Sequence, residues 1–398
     1  MMKIAVIGAG PLGSATARHL AESGAHVTVF GPDEPATFAG HQGTWSGHYD
    51  QGRMAVTDPL LVASILGHRA MARYADLAMR SGVTFSRSHP QLMMFPDGAT
   101  GEGTQEPSSS HAYRMLDAVL EHSRTFGETP EVLDSAQLHA RFPDMRFAAN
   151  QIGALQHDAL IVNPRLLVRA ELVLAEAAGA TRVRELVVGL ESTASQVRLT
   201  LADGFTASFD KVVVATGAGT NASGLLPARV DTTVYGATIV LLEVDGPDVV
   251  QMPAWMYLDS HHGGGLITPP TQYPDRRWYL KCASGQLLSN PLHSAGEISG
   301  WVSTGGESSE LDYFQEFVAR SLPAVQVRGG HTRPCLPSIN TTSVPYIDMV
   351  DERVGLVVEG ERGVMMADEI GRLSARLTLT GEWRDSLDHH EVAVRWAA

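Results

Sequence analysis

The stretch that decides the fold is KIAVIGAGPLG at residues 3–13, followed by HVTVF at residues 26–30. Its first residues form an apolar run that is typical of a strand buried on both faces of a parallel sheet. Gly8, Gly10 and Gly13 follow in the spacing GxGxxG, and a helical pattern separates them from the second run. A strand, a glycine turn, a helix and a second strand within about 30 residues are the context in which this spacing binds a dinucleotide. The sequence therefore predicts a nucleotide site at this turn.

The residues of the turn have separate predicted roles. Gly8 makes the tight turn, Gly10 lets the backbone approach a pyrophosphate, and Gly13 allows the helix to pack closely on the strand. Pro11 and Leu12 open the helix, whose amino terminus then faces the anion.

One expected residue of a dinucleotide site is missing. The acid that binds the adenosine ribose belongs at the end of the second strand, but that position is Gly31. We expect Asp33 or Glu34 in the following loop to replace it. The alternative is that both are solvent-exposed turn residues.

Composition bounds the class of protein. The chain has 398 residues, of which 44% are hydrophobic and 19% charged, as in ordinary soluble globular proteins. Its net charge of -14 argues against binding to nucleic acid, and no apolar run reaches the roughly 18 residues of a membrane span. Two cysteines are too few for a disulfide framework and suit a reducing compartment. We therefore expect a cytoplasmic protein without nucleic-acid or membrane partners. A monomer or a weak homodimer is a separate expectation, which composition does not decide.

The later segments divide into two patterns. The run KVVVATGAG at residues 211–219 and the run GLVV at residues 355–358 are again apolar strands that lead into small residues. Residues 226–330 instead show alternating strands, which predict an antiparallel sheet in a second domain. We predict an α/β, Rossmann-like nucleotide domain formed by residues 1–85, 150–225 and 331–398. It is interleaved with an α+β domain formed by residues 86–149 and 226–330.

Several individual elements are predicted from periodicity. The predicted helices cover residues 59–79, 111–126, 135–141, 165–178, 310–321 and 369–379. The predicted strands of the second domain include residues 233–244 and 278–282.

The order of several motifs resembles a known family. They are the GxGxxG turn, SGHYDQGR at residues 46–53, the Val162-Asn163-Pro164 helix start, VVATG at residues 213–217, Lys281, Arg333-Pro334-Cys335, and the closing glycine strand. This order resembles the FAD-dependent amine and amino acid oxidases, the D-amino acid oxidase-like superfamily. Within it the chain is most similar to the branch of monomeric sarcosine oxidase and N-methyltryptophan oxidase.

The resemblance implies a fold, a cofactor and a reaction. FAD would extend along a domain of the glutathione reductase type, with its flavin ring at the boundary with the substrate domain. A hydride would leave the carbon beside a substrate amine to give an imine, and molecular oxygen would be reduced to hydrogen peroxide.

The resemblance also implies roles for three residues near the flavin. Cys335 matches a cysteine that bonds covalently to the flavin, which requires a thiolate that Arg333 and His331 would favour. Lys281 matches a lysine whose ammonium stabilises negative charge as oxygen accepts an electron. Arg53 matches an arginine that stabilises the anionic reduced flavin. The alternatives are a buried structural cysteine and a solvent-facing lysine at a strand edge.

Further cofactor-binding residues follow from the same resemblance. They are Ser46, His48, Val188, Thr216, Gly217, Gly360, Arg362 and Gly363. Tyr49 stands where the family has a second histidine, and tyrosine cannot act as the same base near neutral pH. For His48 the alternative is a hydrogen-bonded loop residue.

The closing segment departs from the family pattern. Residues 360–368 read GERGVMMAD and lack the family lysine that holds a substrate carboxylate, and a second family arginine falls on Val56. We therefore expect a small-molecule amine other than sarcosine or a simple amino acid. Arg362 would restore one anion contact, and a helix-capping or surface role is the alternative.

Other functions remain open at this point. A flavin dehydrogenase that does not use oxygen and an NAD-dependent dehydrogenase share the same type of sheet. No metal site is expected, because the adjacent pairs His261-His262 and His389-His390 point apart and have no accompanying ligand spacing.

Overall fold

The protein is described by a computed structural model that covers residues 1–35, 38, 45–96, 107–148, 151–257, 264–285 and 287–397. The helices in these ranges are α1 (Pro11–Glu22), α2 (Leu61–Ser81), α3 (Pro107–Thr125), α4 (Ser135–Arg141), α5 (Pro164–Ala177), α6 (Ala295–Thr304), α7 (Ser309–Ser321), α8 (Gly363–Thr380) and α9 (His389–Val392).

The strands follow in chain order. They are β1 (Lys3–Ile7), β2 (His26–Phe30), β3 (Arg53–Ala55), β4 (Ser86–Ser88), β5 (Gln91–Pro96), β6 (Glu131–Leu133), β7 (Gln151–Gln156), β8 (Leu160–Val162), β9 (Thr181–Val183), β10 (Val187–Ser192), β11 (Val197–Leu201), β12 (Thr206–Phe209), β13 (Lys211–Val214), β14 (Thr232–Tyr235), β15 (Ala237–Val244), β16 (Ala254–Tyr257), β17 (Gly265–Gln272), β18 (Trp278–Ser284), β19 (Pro291–Leu292), β20 (Gly329–Cys335), β21 (Ser338–Asn340), β22 (Tyr346–Met349) and β23 (Val354–Val358).

The first sheet is six-stranded, in the order β22-β23-β13-β1-β2-β9. Its strands pair in parallel except for β22, which pairs antiparallel with β23. Ile4 and Val6 of β1 pack against a helical layer that includes α1, α5 and α8, whereas Ala5 and Ile7 pack with the three-stranded sheet β10-β11-β12. Burial on both faces explains why the first strand shows no polar alternation.

The second large sheet is eight-stranded, in the order β20-β15-β18-β17-β16-β5-β7-β6. All of its pairings are antiparallel except that between β16 and β5. Val240 and Cys282 belong to the face that packs on Phe314 and Phe317 of α7. Because side chains alternate along a strand, the intervening residues point to the opposite face, which borders a cavity described below.

The predicted fold class, a Rossmann-like α/β sheet combined with an antiparallel sheet, is confirmed. Two strands at the predicted domain boundaries, Gln151–Gln156 and Gly329–Cys335, hydrogen-bond within the eight-stranded sheet. The division into domains at the stated residues stays a prediction. No described helix combines the length and the apolarity that crossing a bilayer requires.

Three elements of the structure differ most from what the sequence predicts. α8 begins at Gly363, six residues before the predicted start. The strand predicted over residues 233–244 breaks at Gly236, where a Cβ would lie 2.5 Å from Asn290 Nδ2 and 2.7 Å from the Trp301 ring. α6 was not predicted, although Ser294 and Glu297 form a capping box at its start.

Candidate active site

A cavity of about 1160 Å³ lies between the two large sheets. One half, which we call the nucleotide half, is lined by Gly8, Gly10, Pro11 and Leu12 and by residues near the ends of β2, β9 and β13. The other half, which we call the sheet half, is lined by residues of β5, β15, β16 and β18 and by the loop after β23. A smaller cavity of about 300 Å³ adjoins it and shares Arg53 and Cys335 with it.

The glycine turn has little room for any other residue. Gly8 has φ +116°, and a Cβ there would lie 2.2 Å from the carbonyl oxygen of Ala215. A Cβ on Gly13 would lie 1.8 Å from the carbonyl oxygen of Gly8. At Gly10, by contrast, the nearest atoms are 3.5 Å or more away, so its open side faces the cavity. No side chain caps the amino terminus of α1, which leaves its backbone N–H groups available to an anion.

The candidate ribose acids lie at the nucleotide half and are held by arginines. Asp33 forms ion pairs with Arg182 at 2.8 Å and Arg184 at 2.6 Å. Glu34 pairs with Arg165 at 2.6 Å. Both side chains are solvent-exposed, as the alternative interpretation expects, and each is paired with arginine; that either acid binds the ribose stays a prediction.

The same arginines keep donors in reserve. Arg165 Nη1 and Arg182 Nε are buried and have no hydrogen-bond partner within the described part of the chain. Both residues line the cavity, as do Val188, Thr216 and Gly217 of the predicted cofactor set. Unpaired buried donors beside a cavity are costly unless a ligand accepts from them.

Ser46 and His48 meet at the open side of Gly10. Ser46 Oγ lies 2.5 Å from His48 Nδ1, and both residues line the cavity. Burial, together with the charges of Arg165 and Arg182, lowers the pKa of His48 to about 3. His48 is therefore neutral near pH 7, and burial raises the pKa of Tyr49 to about 12, so it too is uncharged.

Lys281 lies on the cavity side of β18 and is only 1% exposed. Its Nζ donates to Asp50 Oδ2 at 2.5 Å and to the carbonyl oxygen of Gly52 at 2.5 Å. Burial and the nearby charge of Arg53 lower the pKa of Lys281 to about 8, although Asp50 opposes this shift. The ammonium is therefore mostly charged at pH 7 and is not the solvent-facing lysine of the alternative interpretation.

Asp50 is the centre of this cluster. Besides Lys281, it pairs with Arg53 Nη1 at 3.2 Å and accepts from Tyr273 Oη at 2.7 Å. Burial raises the pKa of Asp50, but the charges of Lys281 and Arg53 outweigh burial and hold that pKa well below its usual range. One ionised carboxylate thus binds two cations, the buried Lys281 and the half-buried Arg53.

Arg53 links this cluster to Cys335. Its Nη2 donates to the carbonyl oxygen of Gly47 at 3.2 Å and lies 3.9 Å from Cys335 Sγ. Cys335 is a free, half-buried thiol that lines both cavities. Arg333, which was expected to act on this thiol, places its guanidinium over the Phe38 ring at 5.2 Å.

The loop after β23 supplies charge to the sheet half. Arg362 pairs with Asp58 and, at 2.8 Å, with Glu361, and all three residues line the cavity. Arg362 occupies the N-cap position of α8, but its side chain makes no capping hydrogen bond and forms these two ion pairs at the cavity instead. Gly360, with φ +65°, and Gly363 lie in the same loop, where added Cβ atoms would meet Val344 and Glu359.

Sequence reasoning missed three residues of the site: Asp50, Tyr273 and Glu359. Asp50 lies inside the quoted SGHYDQGR motif, and its acidic side chain three residues before Arg53 was the available signal. Glu359 lines the sheet half, and burial raises its pKa to about 7 against the effects of Arg53 and the backbone N–H of Ser338. Neither Tyr273 nor Glu359 belongs to a motif with a distinctive spacing.

The histidine pairs have different outcomes. His261-His262 lies outside the described residues. His389 stacks on Trp383, and its Nε2 donates to the carbonyl oxygen of Ile347 at 3.2 Å and lies 3.3 Å from Asp348 Oδ1, which is a structural role. Within the described ranges, no group of three or more His, Cys, Asp and Glu residues is arranged to hold a metal ion.

The residues present fit FAD. The open side of Gly10, the uncapped amino terminus of α1 and the unpaired donors of Arg165 and Arg182 suit its pyrophosphate and other polar groups. The same cavity continues to Arg53 and Cys335, where the predicted flavin contacts lie.

Comparisons with known proteins agree with this fit. A family model described as DAO, FAD dependent oxidoreductase, matches residues 3–377. No curated protein matches the chain. The open form of NikD, described as an unusual amino acid oxidase essential for nikkomycin biosynthesis, is similar with a TM-score of 0.79 and 21% identity, covering 100% of this chain and 99% of that chain.

Two further solved structures share the fold. L-proline dehydrogenase from P. horikoshii has a TM-score of 0.69 and 15% identity, covering 98% of this chain and 96% of that chain. Glycine oxidase from Bacillus cereus ATCC 14579 has a TM-score of 0.67 and 17% identity, covering 96% of each chain. The predicted FAD cofactor is confirmed by the family match. The chain belongs to the DAO family of FAD dependent oxidoreductases and is an enzyme that uses FAD.

Proposed function

We propose that the protein is an oxidase that removes a hydride from the carbon beside a secondary or cyclic amine. The products are an imine and, from molecular oxygen, hydrogen peroxide. The observation that carries this proposal is the buried Lys281 ammonium. It lies on the same face of β18 as Ala283, which lines the cavity, and Asp50 links it to Arg53 on the cavity wall. A fixed cation in a dry site stabilises negative charge far better than one in water.

The chain's own residues have separate roles in this scheme. FAD, when bound, supplies the hydride acceptor. The glycine turn and the arginines Arg165 and Arg182 bind the cofactor's phosphate end, and Arg53 brings positive charge to the junction of the two halves. Lys281 stabilises negative charge as it develops on oxygen. Asp50 fixes the positions of Lys281 and Arg53 through its ion pairs with both.

We further propose that Cys335 binds the flavin covalently. Its support is the position of a free thiol on the cavity wall, where Arg53 Nη2 lies 3.9 Å from Sγ, together with the match of Cys335 to the family cysteine that bonds to the flavin. The test is to precipitate the purified protein with acid. A yellow pellet is expected for the parent protein and a yellow supernatant for Cys335→Ser. A yellow supernatant from the parent protein would contradict the covalent bond.

The oxidase reaction itself is tested by the oxygen half-reaction. The enzyme is reduced under anaerobic conditions and mixed with oxygen, and flavin reoxidation is followed by stopped-flow absorbance. Lys281→Met is expected to slow reoxidation by at least about 100-fold, the magnitude of losing one strong electrostatic contact in a dry site. Oxygen reactivity that Lys281→Met leaves unchanged would refute the role of Lys281.

A second candidate is a flavin dehydrogenase that uses another electron acceptor. Asp50 favours it, because a carboxylate 2.5 Å from Nζ offsets part of the charge that would act on oxygen. L-proline dehydrogenase shares the fold. Slow reoxidation of the parent enzyme by oxygen, together with fast reoxidation by an artificial acceptor, would identify this function.

The proposal also includes a cytoplasmic enzyme that is a monomer or a weak homodimer. Both cysteines are free, which suits a reducing compartment. Gel filtration coupled to light scattering measures the oligomeric state directly.

A further inference from the structure

The half-buried loop that follows β23 contains a residue with a strained backbone conformation. Glu361 has φ +80°, and it lines the cavity, unlike Arg276 and Ser343, the other described non-glycine residues with positive φ. Such a conformation costs about 1–3 kcal/mol in a non-glycine residue and persists only where the surroundings enforce it. Strained residues of this kind concentrate at ligand sites, so this loop is a candidate contact for a ligand in the cavity.

Acidic groups outnumber basic groups around the sheet half. The basic side chains that line it are Arg53 and Arg362, and the acidic side chains that line it are Asp58, Glu359 and Glu361. The Lys281–Asp50 ion pair adjoins this lining through Arg53. Each of the three cations has an ion-pair partner among these acids. Among the described residues of this half, no unpaired cation is therefore available to hold a substrate carboxylate.

Two acceptors, by contrast, remain for a donor. Glu359 lines the sheet half and forms no ion pair within the described ranges, and Gln91 Oε1 is buried beside the same cavity without a hydrogen-bond partner there. Gln91 is 3% exposed. A buried acceptor that stays unpaired costs about 1–3 kcal/mol, and an N–H donor from a ligand removes this cost.

The rest of the wall is apolar and rich in methionine. Five methionines line the cavity: Met54, Met93, Met115, Met256 and Met365. The chain has 14 in all, so more than a third of them meet at one surface. Thioethers are polarizable and adaptable, and they make favourable contacts with aromatic rings.

We infer that the substrate is an amine with an apolar or aromatic ring and no carboxylate, whose N–H groups are bound by Glu359 and Gln91. This inference rests on the proposed amine oxidation and narrows its substrate class. The methionines that line the cavity contact the ring. Glu359, Glu361 and Arg362 belong to the strained loop, where Arg362 pairs with Glu361 and with Asp58. Glu359 and Gln91 are specificity-determining residues in this scheme.

The test compares three probes that differ in one group. They are 1,2,3,4-tetrahydroisoquinoline, its 3-carboxylic acid, and isochroman, in which a neutral oxygen replaces the amine. The holoenzyme is first reduced with dithionite under anaerobic conditions, so that no probe is turned over. Binding is then measured at pH 7 from the change in tryptophan fluorescence. The readout therefore does not depend on oxygen or on catalysis.

The amine is expected to bind at least about 10-fold more tightly than either other probe, the effect of one charge-assisted hydrogen bond. Glu359→Gln is expected to remove most of this advantage and to leave isochroman binding within about 2-fold. Glu352→Gln, an exposed residue in the turn before β23, is the matched control and should change nothing. If Glu359→Gln does not retain FAD, Gln91→Leu is tested with the same probes and the same expectation.

Two results would overturn the inference. The first is a carboxylic acid probe that binds as tightly as the amine or more tightly. The second is an equal loss for the amine and isochroman in the Glu359→Gln or Gln91→Leu enzyme. The proposed oxidase function fails in a different way, namely by absent peroxide with every amine while probe binding stays measurable.

Discussion

Asp50 binds the buried Lys281 and the half-buried Arg53, and replacing it with Asn tests how strongly the three groups are coupled. Asn keeps the shape of the side chain but removes the charge that pairs with Lys281 at 2.5 Å and with Arg53 at 3.2 Å. Removing one partner of a buried ion pair costs about 3–5 kcal/mol, because the remaining charge stays desolvated. In Asp50→Asn the buried Lys281 is left in that condition, whereas the half-buried Arg53 keeps part of its hydration, so we expect a loss within this range.

Lys281→Met is expected to cost less than Asp50→Asn. It removes one cation and leaves Asp50 paired with Arg53, so no buried charge is stranded. The double variant should then be more stable than the sum of the single losses predicts, by about 1–3 kcal/mol of coupling. Tyr273→Phe is the control: it removes one hydrogen bond to Asp50 without changing any charge and should cost about 1 kcal/mol.

The assay is thermal unfolding of the holoenzymes at pH 7, followed by circular dichroism at one scan rate. For a chain of this length each kcal/mol corresponds to about 2 °C or less, so Asp50→Asn should lower the Tm by up to about 10 °C. If the loss in Tm of the Asp50→Asn, Lys281→Met double variant equals the sum of the two single losses, the reasoning is refuted, because additivity means that the two groups do not interact. A smaller loss for Asp50→Asn than for Tyr273→Phe would refute it as well.

Three further predictions follow from the same site. Flavin reoxidation should slow as the pH rises through about 8, the pKa of Lys281, because its ammonium is present below this pKa and lost above it. Stopped-flow rates of Lys281→Met between pH 6 and 10 should show no such fall. Gly13→Ala should prevent FAD binding, because its Cβ would lie 1.8 Å from the Gly8 carbonyl oxygen. Bound FAD is measured as the ratio of absorbance at the flavin and protein bands. Gly246→Ala is the control and should bind FAD normally, because the space around Gly246 is open. Glu361→Gly should change the Tm upward, because relief of a left-handed backbone gains about 1 kcal/mol, and a lower Tm would mean that its ion pair with Arg362 outweighs the strain.

Local features of the site were predictable from the sequence, and long-range contacts were not. The tight packing of Gly8 and Gly13 follows from the GxGxxG spacing, because the strand and helix that it joins are neighbours in the chain. Asp50 and Lys281 are 231 residues apart, and no local pattern reports that they meet. The position of Glu359 at a cavity wall likewise depends on how the two large sheets approach each other.

Cys282, the neighbour of Lys281 on β18, shows how apolar packing positions the lysine. They are adjacent on β18, yet Cys282 packs in the core with Val240 and Leu280, where burial raises its pKa, whereas Lys281 meets Asp50. A shift of one residue along β18 would exchange the two faces and place an ammonium in the apolar core. The register with β15, which pairs Val240 with Cys282, is therefore what directs Lys281 to the cavity side. Apolar packing on one face of the sheet thus determines where the cation acts on the other.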